Sequence, residues 1–194
     1  MTGIIGKKLG MTRVIQDDGR VIPITVLHCE PNEITQIKTV EKDGYPAIVL
    51  GLSVLKKPKK TKKFHYLKEF RVDETSEVKM GDKISIEMFS EGDTVRISGK
   101  SKGKGFQGVI KRHKMGRGPM SHGSHHKRQP GSVGACASPG RIHRGKKLPG
   151  RMGGETTTLN NARVIYIDVK NNLLGIKGAI PGGNKSVITI TKVS

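Results

Sequence analysis

GKSKGKGFQGVIKRHKMGRGPMSHGSHHKRQPGSVGACASPGRIHRGKKLPGRMGG, residues 99–154, decides how the rest of the chain is read. These 56 residues hold 14 Lys or Arg, 14 Gly and no Asp or Glu, and Phe106 is their one aromatic. Such a stretch buries too little apolar area to offset the entropy of ordering it. Alone in water it is expected to be mobile, and on a polyanion to order. Pro119, Pro130, Pro139 and Pro149 recur about every ten residues with glycines close by. Proline removes a helical donor and clashes with the preceding turn, so a long basic helix of the zipper type is excluded. What remains is extended, kinked backbone with cations on all sides. That shape threads between RNA helices better than it fills one DNA groove, and small residues allow close passage.

Outward from this segment the charge falls away. The 194-residue chain has 36 Lys plus Arg against 16 Asp plus Glu, a formal net charge of +20. Residues 99–154 carry 14 of those net charges, which leaves 22 basic and 16 acidic residues, a net of +6, elsewhere. A body of this size and charge repels itself unless a polyanion neutralises it. Five of the seven histidines (His113, His122, His125, His126 and His143) lie in the same segment. No apolar run is long enough to span a bilayer. The opening MTGIIGKKLGMTRV lacks the apolar block of a signal peptide. Cys29 and Cys136 stand 107 positions apart, so no disulfide framework is expected and a reducing cytosol is the default.

The flanks read as short β-branched strands. Residues 11–16 and 20–29 surround a turn at Asp17-Asp18-Gly19; residues 33–41 and 45–54 surround Lys42-Asp43-Gly44. Further strands are expected at 83–89 and 94–98. Beyond the basic segment, 162–169 and 173–180 flank Asn171-Asn172, a pair that tolerates the positive φ of a tight hairpin, and 187–192 closes the chain. The expected fold class is therefore all-β dominated, an antiparallel barrel or sandwich built from residues 1–98 together with 155–194. Residues 99–154 are then a long excursion from it. Residues 55–72 form a smaller basic loop insertion. Its KKPKKTKK run (56–63) reads as a solvated loop or as an RNA contact, and 64–72 as a short helix.

Three motifs admit other chemistry. Gly103-Lys-Gly105-Phe-Gln-Gly108 matches a dinucleotide-binding fingerprint, but the acidic residue wanted about 20 positions on is absent. Position 128 is Arg, and no Asp or Glu lies between Asp93 and Glu155. The same glycines suit close approach of backbone to a phosphate chain, with Lys100, Lys102 and Lys104 between them. His122, His125 and His126 match no standard zinc spacing. Cys136 near His143 imitates a nucleophile and base, with nothing to orient them. Two rival classes stand beside RNA binding. A DNA-compacting protein shares the charge but calls for long helices or β-arms. A nucleic-acid-modifying enzyme calls for a carboxylate or thiol cluster, whereas Asp17, Asp18, Asp43, Glu74 and Glu77 fall in predicted turns and loops.

The opening GIIGKKLGMTRVIQDDGRVIPITVL, the central SGKSKGKGFQGVIKRHKM, the stretch SHGSHHKRQPGSVGACASPGRIHRGKKLPGRMGG and the closing NLLGIKGAIPGGNKSVITI together resemble the bacterial L-three family, the third protein of the large ribosomal subunit. The resemblance covers essentially the whole chain, in order. It implies a translation-protein-type six-stranded antiparallel β-barrel with a long, basic, mostly irregular loop extension. It implies binding to 23S-type large-subunit ribosomal RNA near its 3′ region, an early role in nucleating subunit assembly, and a loop directed towards the peptidyl transferase centre. Large-subunit RNA and neighbouring large-subunit ribosomal proteins are the expected partners. No catalytic residue, cofactor, metal, membrane or DNA partner is expected. The location implied is the cytoplasm, in the ribosome, or an organellar ribosome of bacterial descent.

The side chains expected to meet RNA are Lys7 and Lys8 near the start, then Lys100, Lys102, Lys104, Lys111, Arg112, His113, Lys114, Arg117, His122, His125, His126, Lys127, Arg128, Arg141, His143, Arg144, Lys146, Lys147 and Arg151. Close approach of backbone to RNA is expected at Gly103, Gly105 and Gly108 at the loop base, and at Gly131, Gly134 and Gly140 near its inner reach. Some bacterial members carry a side-chain-methylated glutamine in the G-x-x-x-x-P-G stretch. Here Gly134 is followed by Ala135, Cys136 and Ala137, and Gln129 lies outside the pattern, so that modification should be absent.

Overall fold

Long runs of alternating branched residues with a glycine-permitted turn between them make the first hairpin. The structure, a computed structural model, describes residues 3–59, 62–72 and 79–193. Strand β1 (Gly3–Ile15) turns at Asp17-Asp18-Gly19, where Gly19 has φ 79°, and returns as β2 (Val21–His28). Strand β3 (Asn32–Lys38) ends sooner than the sequence suggests, in one helical turn α1 (Val40–Asp43), closed by Gly44 at φ 81°. Strands β4 (Ala47–Lys59) and β5 (Lys62–Arg71) follow, then the short β6 (Lys83–Ile84). β7 (Thr94–Lys100) leads into the basic segment, which holds β8 (Phe106–Gln107), helix α2 (Val109–His113) and β9 (Gly150–Arg151). The chain closes with β10 (Thr156–Asp168), β11 (Leu173–Lys177) and β12 (Val187–Lys192).

Six strands form an antiparallel sheet in the order β1-β12-β7-β10-β11-β2, and β2 pairs with β1 to close it into a barrel. The first half of β1 pairs with β12 and the second half with β2, with the register shifting between Lys8 and Gly10. Alternation directs one face of each strand inward. Ile4, Leu27, Val95, Ile97, Val164, Leu174, Ile176, Ile188 and Ile190 meet there. Cys29 belongs to the same cluster, and burial pushes its thiol up to about 12.

A second antiparallel sheet, in the order β5-β4-β3-β6, has its own core of Ile5, Ile34, Ile48, Leu50, Leu52, Phe70 and Val72. Asn32 ties it to the barrel. Its carboxamide accepts from Ile5 N–H at 3.0 Å and donates to Ile5 C=O at 3.1 Å and Glu30 C=O at 2.7 Å. A Cβ on Gly3 would overlap the Phe70 ring, so glycine is required for that ring to pack on β1.

This sheet corrects two expectations. The stretch 64–72 is strand as far as Arg71, not a helix, and among the described residues 55–59 and 62–71 are arms of a sheet hairpin, not a loop insertion. The cause is non-local: Phe64 lies over Gly51 and Phe70 pairs across to Ile48. Residues 83–89 also differ from expectation. After Ile84 the chain makes a 3₁₀ turn, Ile86–Met88, that buries Ile86. Lys60, Thr61, Glu74 and Glu77 lie outside the described residues.

The chain divides into two units, Met1–Ser101 with Thr156–Ser194, and Lys102–Glu155. Gly99 and Lys100 are thus the end of a barrel strand, with Lys100 opposite Thr156. No helix among the described residues is long and apolar enough to cross a membrane.

Candidate nucleic-acid interface

The unit Lys102–Glu155 has little regular structure, and what it has is held mainly by backbone. β8 pairs with β9, and the ladder continues as Lys104 N–H donates to Met152 C=O and Met152 N–H to Gly105 C=O, both at 2.9 Å. Helix α2 starts after Gly108, buries Val109 and ends at Lys114 with φ 56°. From its last turn the Arg112 guanidinium donates to Leu148 C=O at 2.8 Å, and His113 Nε2 reaches the same oxygen at 3.0 Å. A carbonyl only accepts, so Nε2 of His113 carries the proton in that contact.

These two side chains therefore brace the segment from within, and both are half-buried. The other 13 of the 14 Lys and Arg side chains in residues 99–154 are exposed, as are His122, His125, His126 and His143. Phe106 is 75% exposed, an aromatic face with no core to enter. Residues 131–142 surround a concavity of ≈ 500 Å³ whose walls include Gly131, Gly134, Cys136, Gly140 and Arg141.

The glycines divide by the reason for their missing side chain. Gly150, Gly153 and Gly118 are needed by the protein itself. A Cβ on them would overlap Arg112 Nη1, Lys102 C=O and His126 C=O respectively. Gly105, Gly131 and Gly140 have φ of 68°, 73° and 66°, which glycine alone adopts freely. Gly134 has one neighbour, Arg141 C=O, at 3.8 Å from its would-be Cβ. Gly103, Gly108 and Gly116 have neither a positive φ nor any atom within 4 Å of such a Cβ. Nothing inside this chain requires glycine at those three positions.

The two N-terminal cations behave differently from expectation. Lys8 is buried in β1, and its ammonium donates to Ile180 C=O at 3.0 Å and Gly182 C=O at 3.3 Å. It pins the turn between β11 and β12, so the expected phosphate contact at Lys8 does not hold. Lys7 is half-buried and donates to Ser53 Oγ at 3.1 Å. Sequence reasoning also missed the cluster around Tyr45. Lys38 pairs with Glu69 at 2.6 Å and donates to the Tyr45 hydroxyl at 3.0 Å, while Lys38 and Arg71 lie about 5 Å from the ring centre. The Lys38 hydrogen bond holds the Glu69 carboxyl below its usual range.

Comparison with known proteins places this geometry in a family. The family model for ribosomal protein L3 matches residues 35–169. The large ribosomal subunit protein uL3 of Shouchella clausii is 48% identical, over 97% of this chain and 96% of its own length. Its counterparts in Halalkalibacterium halodurans and Geobacillus thermodenitrificans are 47% and 46% identical, each over 97% of this chain and 95% and 94% of their own lengths. The chain belongs to the ribosomal protein L3 family, whose members are structural, non-enzymatic components of the large ribosomal subunit.

Proposed function

We propose that this chain is a structural constituent of the large ribosomal subunit that binds 23S-type RNA near its 3′ region and nucleates subunit assembly. In this reading residues 99–154 run through the RNA towards the peptidyl transferase centre. Neighbouring large-subunit proteins cover part of the β unit, and the location is the cytoplasmic ribosome. One observation carries the proposal. Thirteen exposed Lys and Arg side chains stand in 56 consecutive residues that contain no carboxylate.

The mechanism is charge neutralisation with shape fitting. Each cation that meets a phosphate releases a condensed counterion. Arg117, Arg128, Arg141, Arg144 and Arg151 present planar forks to phosphate pairs or stack on bases. Arg112 and His113 contribute rigidity instead. Gly103, Gly108 and Gly116 leave bare backbone where an RNA strand passes, and Phe106 offers a stacking face. The segment pays its ordering cost as RNA folds around it, which couples protein binding to RNA folding. Peptide transfer itself stays with the RNA.

Binding of the full chain to large-subunit RNA across a salt series tests this. If about half of the 14 segment cations contact phosphate, the segment alone contributes roughly −5 to −6 to the slope of log K against log salt. A flat salt response, or tighter binding to duplex DNA than to structured RNA, would contradict the proposal.

A further inference from the structure

The β4–β5 hairpin is a second cationic element, built on a principle opposite to that of residues 99–154. Its strands pair from Ala47 and Arg71 outwards to Lys59 and Lys62, with an irregularity after Val54. The inner part is anchored. Leu50 and Leu52 are buried, and Phe64 lies over Gly51, where a Cβ would come within 2.6 Å of the ring. Beyond the Val54–Phe64 pair the apolar anchoring stops. Past it β4 runs on to Lys59 while β5 supplies only Lys62 and Lys63, so the hairpin continues as a short, bulged ribbon joined by the Lys59–Lys62 pair. Lys56, Lys57, Pro58, Lys59, Lys62 and Lys63 along that ribbon are all exposed.

No carboxylate occurs between Asp43 and Glu69 in sequence, and Glu69 is already held by Lys38 at 2.6 Å. Among the described residues, Lys56, Lys57, Lys59, Lys62 and Lys63 form no ion pair. Lysines also protect exposed sheet edges from pairing with another chain. That role would spread them along the free edge of β5. Instead, of the run 56–63, Lys56, Lys57, Lys59, Lys62 and Lys63 gather at the outer end, while His65, Tyr66, Leu67 and one exposed lysine, Lys68, occupy β5 nearer the core. The run also contains no arginine, whereas residues 99–154 contain six. Lysine acts as a point charge without a fork, which suits the sugar–phosphate backbone and carries no base information.

We infer that the outer end of the β4–β5 hairpin is a separate RNA-contacting site, a short cationic ribbon anchored on the second sheet that lies on the phosphate backbone of a helical segment and fixes how the β unit is seated. This rests on the reading of the chain as an RNA-binding ribosomal protein. It differs from the contact made by 99–154 in being pre-formed, sequence-independent and independent of RNA folding around it.

The test is a full-length variant carrying Lys56→Gln, Lys57→Gln, Lys59→Gln, Lys62→Gln and Lys63→Gln. All five side chains are exposed, so its thermal unfolding should match that of the unaltered chain. Its log K against log salt slope for large-subunit RNA should be shallower by roughly 2 to 4. Hydroxyl-radical footprinting should show one group of protected riboses lost and a second group kept. An unchanged slope and footprint would overturn the inference while leaving the proposed function intact. So would unchanged RNA binding with new self-association, which would assign the lysines to edge protection. Unchanged RNA binding with lost affinity for polyglutamate would assign them to an acidic protein and overturn it equally. Failure of the unaltered chain to bind this RNA would remove both readings.

Discussion

The Asn32 carboxamide stands in for a neighbouring strand. It satisfies both backbone groups of Ile5 from within 3.1 Å, at a point where β1 turns its free edge towards the second sheet. Asn32 is fully buried, so removing the carboxamide leaves an amide and a carbonyl without partners and out of reach of water. Asn32→Ala should destabilise the fold by about 2–3 kcal/mol, read by denaturant unfolding. A change within the error of the wild-type value would show that the two sheets do not depend on this clamp. Nothing in the sequence singles out Asn32, because the Ile5 groups it satisfies lie 27 positions away. The same holds for Lys8, whose carbonyl partners lie 172 and 174 positions on. A lysine among other lysines reads as a phosphate ligand. Only the fold reveals that its ammonium is enclosed.

Strand ends are pinned by single ion pairs, and one of these makes the barrel sensitive to acid. Asp93, just before β7, meets Lys192 of β12 at 2.6 Å and accepts from Ser90 N–H at 2.9 Å. The Lys192 ammonium, then the Ser90 amide, hold its carboxyl below the usual aspartate range. A carboxyl depressed in the folded state contributes stability above its unfolded pKa and loses it as pH falls through the folded one. Asp93→Asn should therefore melt lower than wild type near neutral pH, with the gap closing below roughly pH 4. A gap of constant size down to strongly acid pH would contradict this assignment. Which elements were legible follows from range. The β1–β2 and β10–β11 hairpins are local, and both turns form where Asp17-Asp18-Gly19 and Asn171-Asn172 place them. The β4–β5 hairpin was missed because KKPKKTKK masked it as a loop. Its signal was present in Phe64, Tyr66 and Phe70 at two-residue multiples, a strand period.

At the scale of the molecule, charge segregation was legible because it is a one-dimensional property. The acid-free run and its cations could be counted directly. The closure order β1-β12-β7-β10-β11-β2 could not, since it joins the two ends of the chain across 54 intervening residues, 102–155. The barrel is complete without the segment, because Lys100 at the end of β7 and Thr156 at the start of β10 are already cross-strand neighbours. Replacing residues 101–155 with a four-residue Gly-Ser turn would convert them into an ordinary hairpin. The most direct measurement takes this shortened chain through thermal unfolding and through RNA binding across a salt series. Cooperative unfolding is expected, with most of the affinity and most of the salt slope gone. A shortened chain that does not fold, or that folds and binds RNA as tightly as the whole, would contradict it.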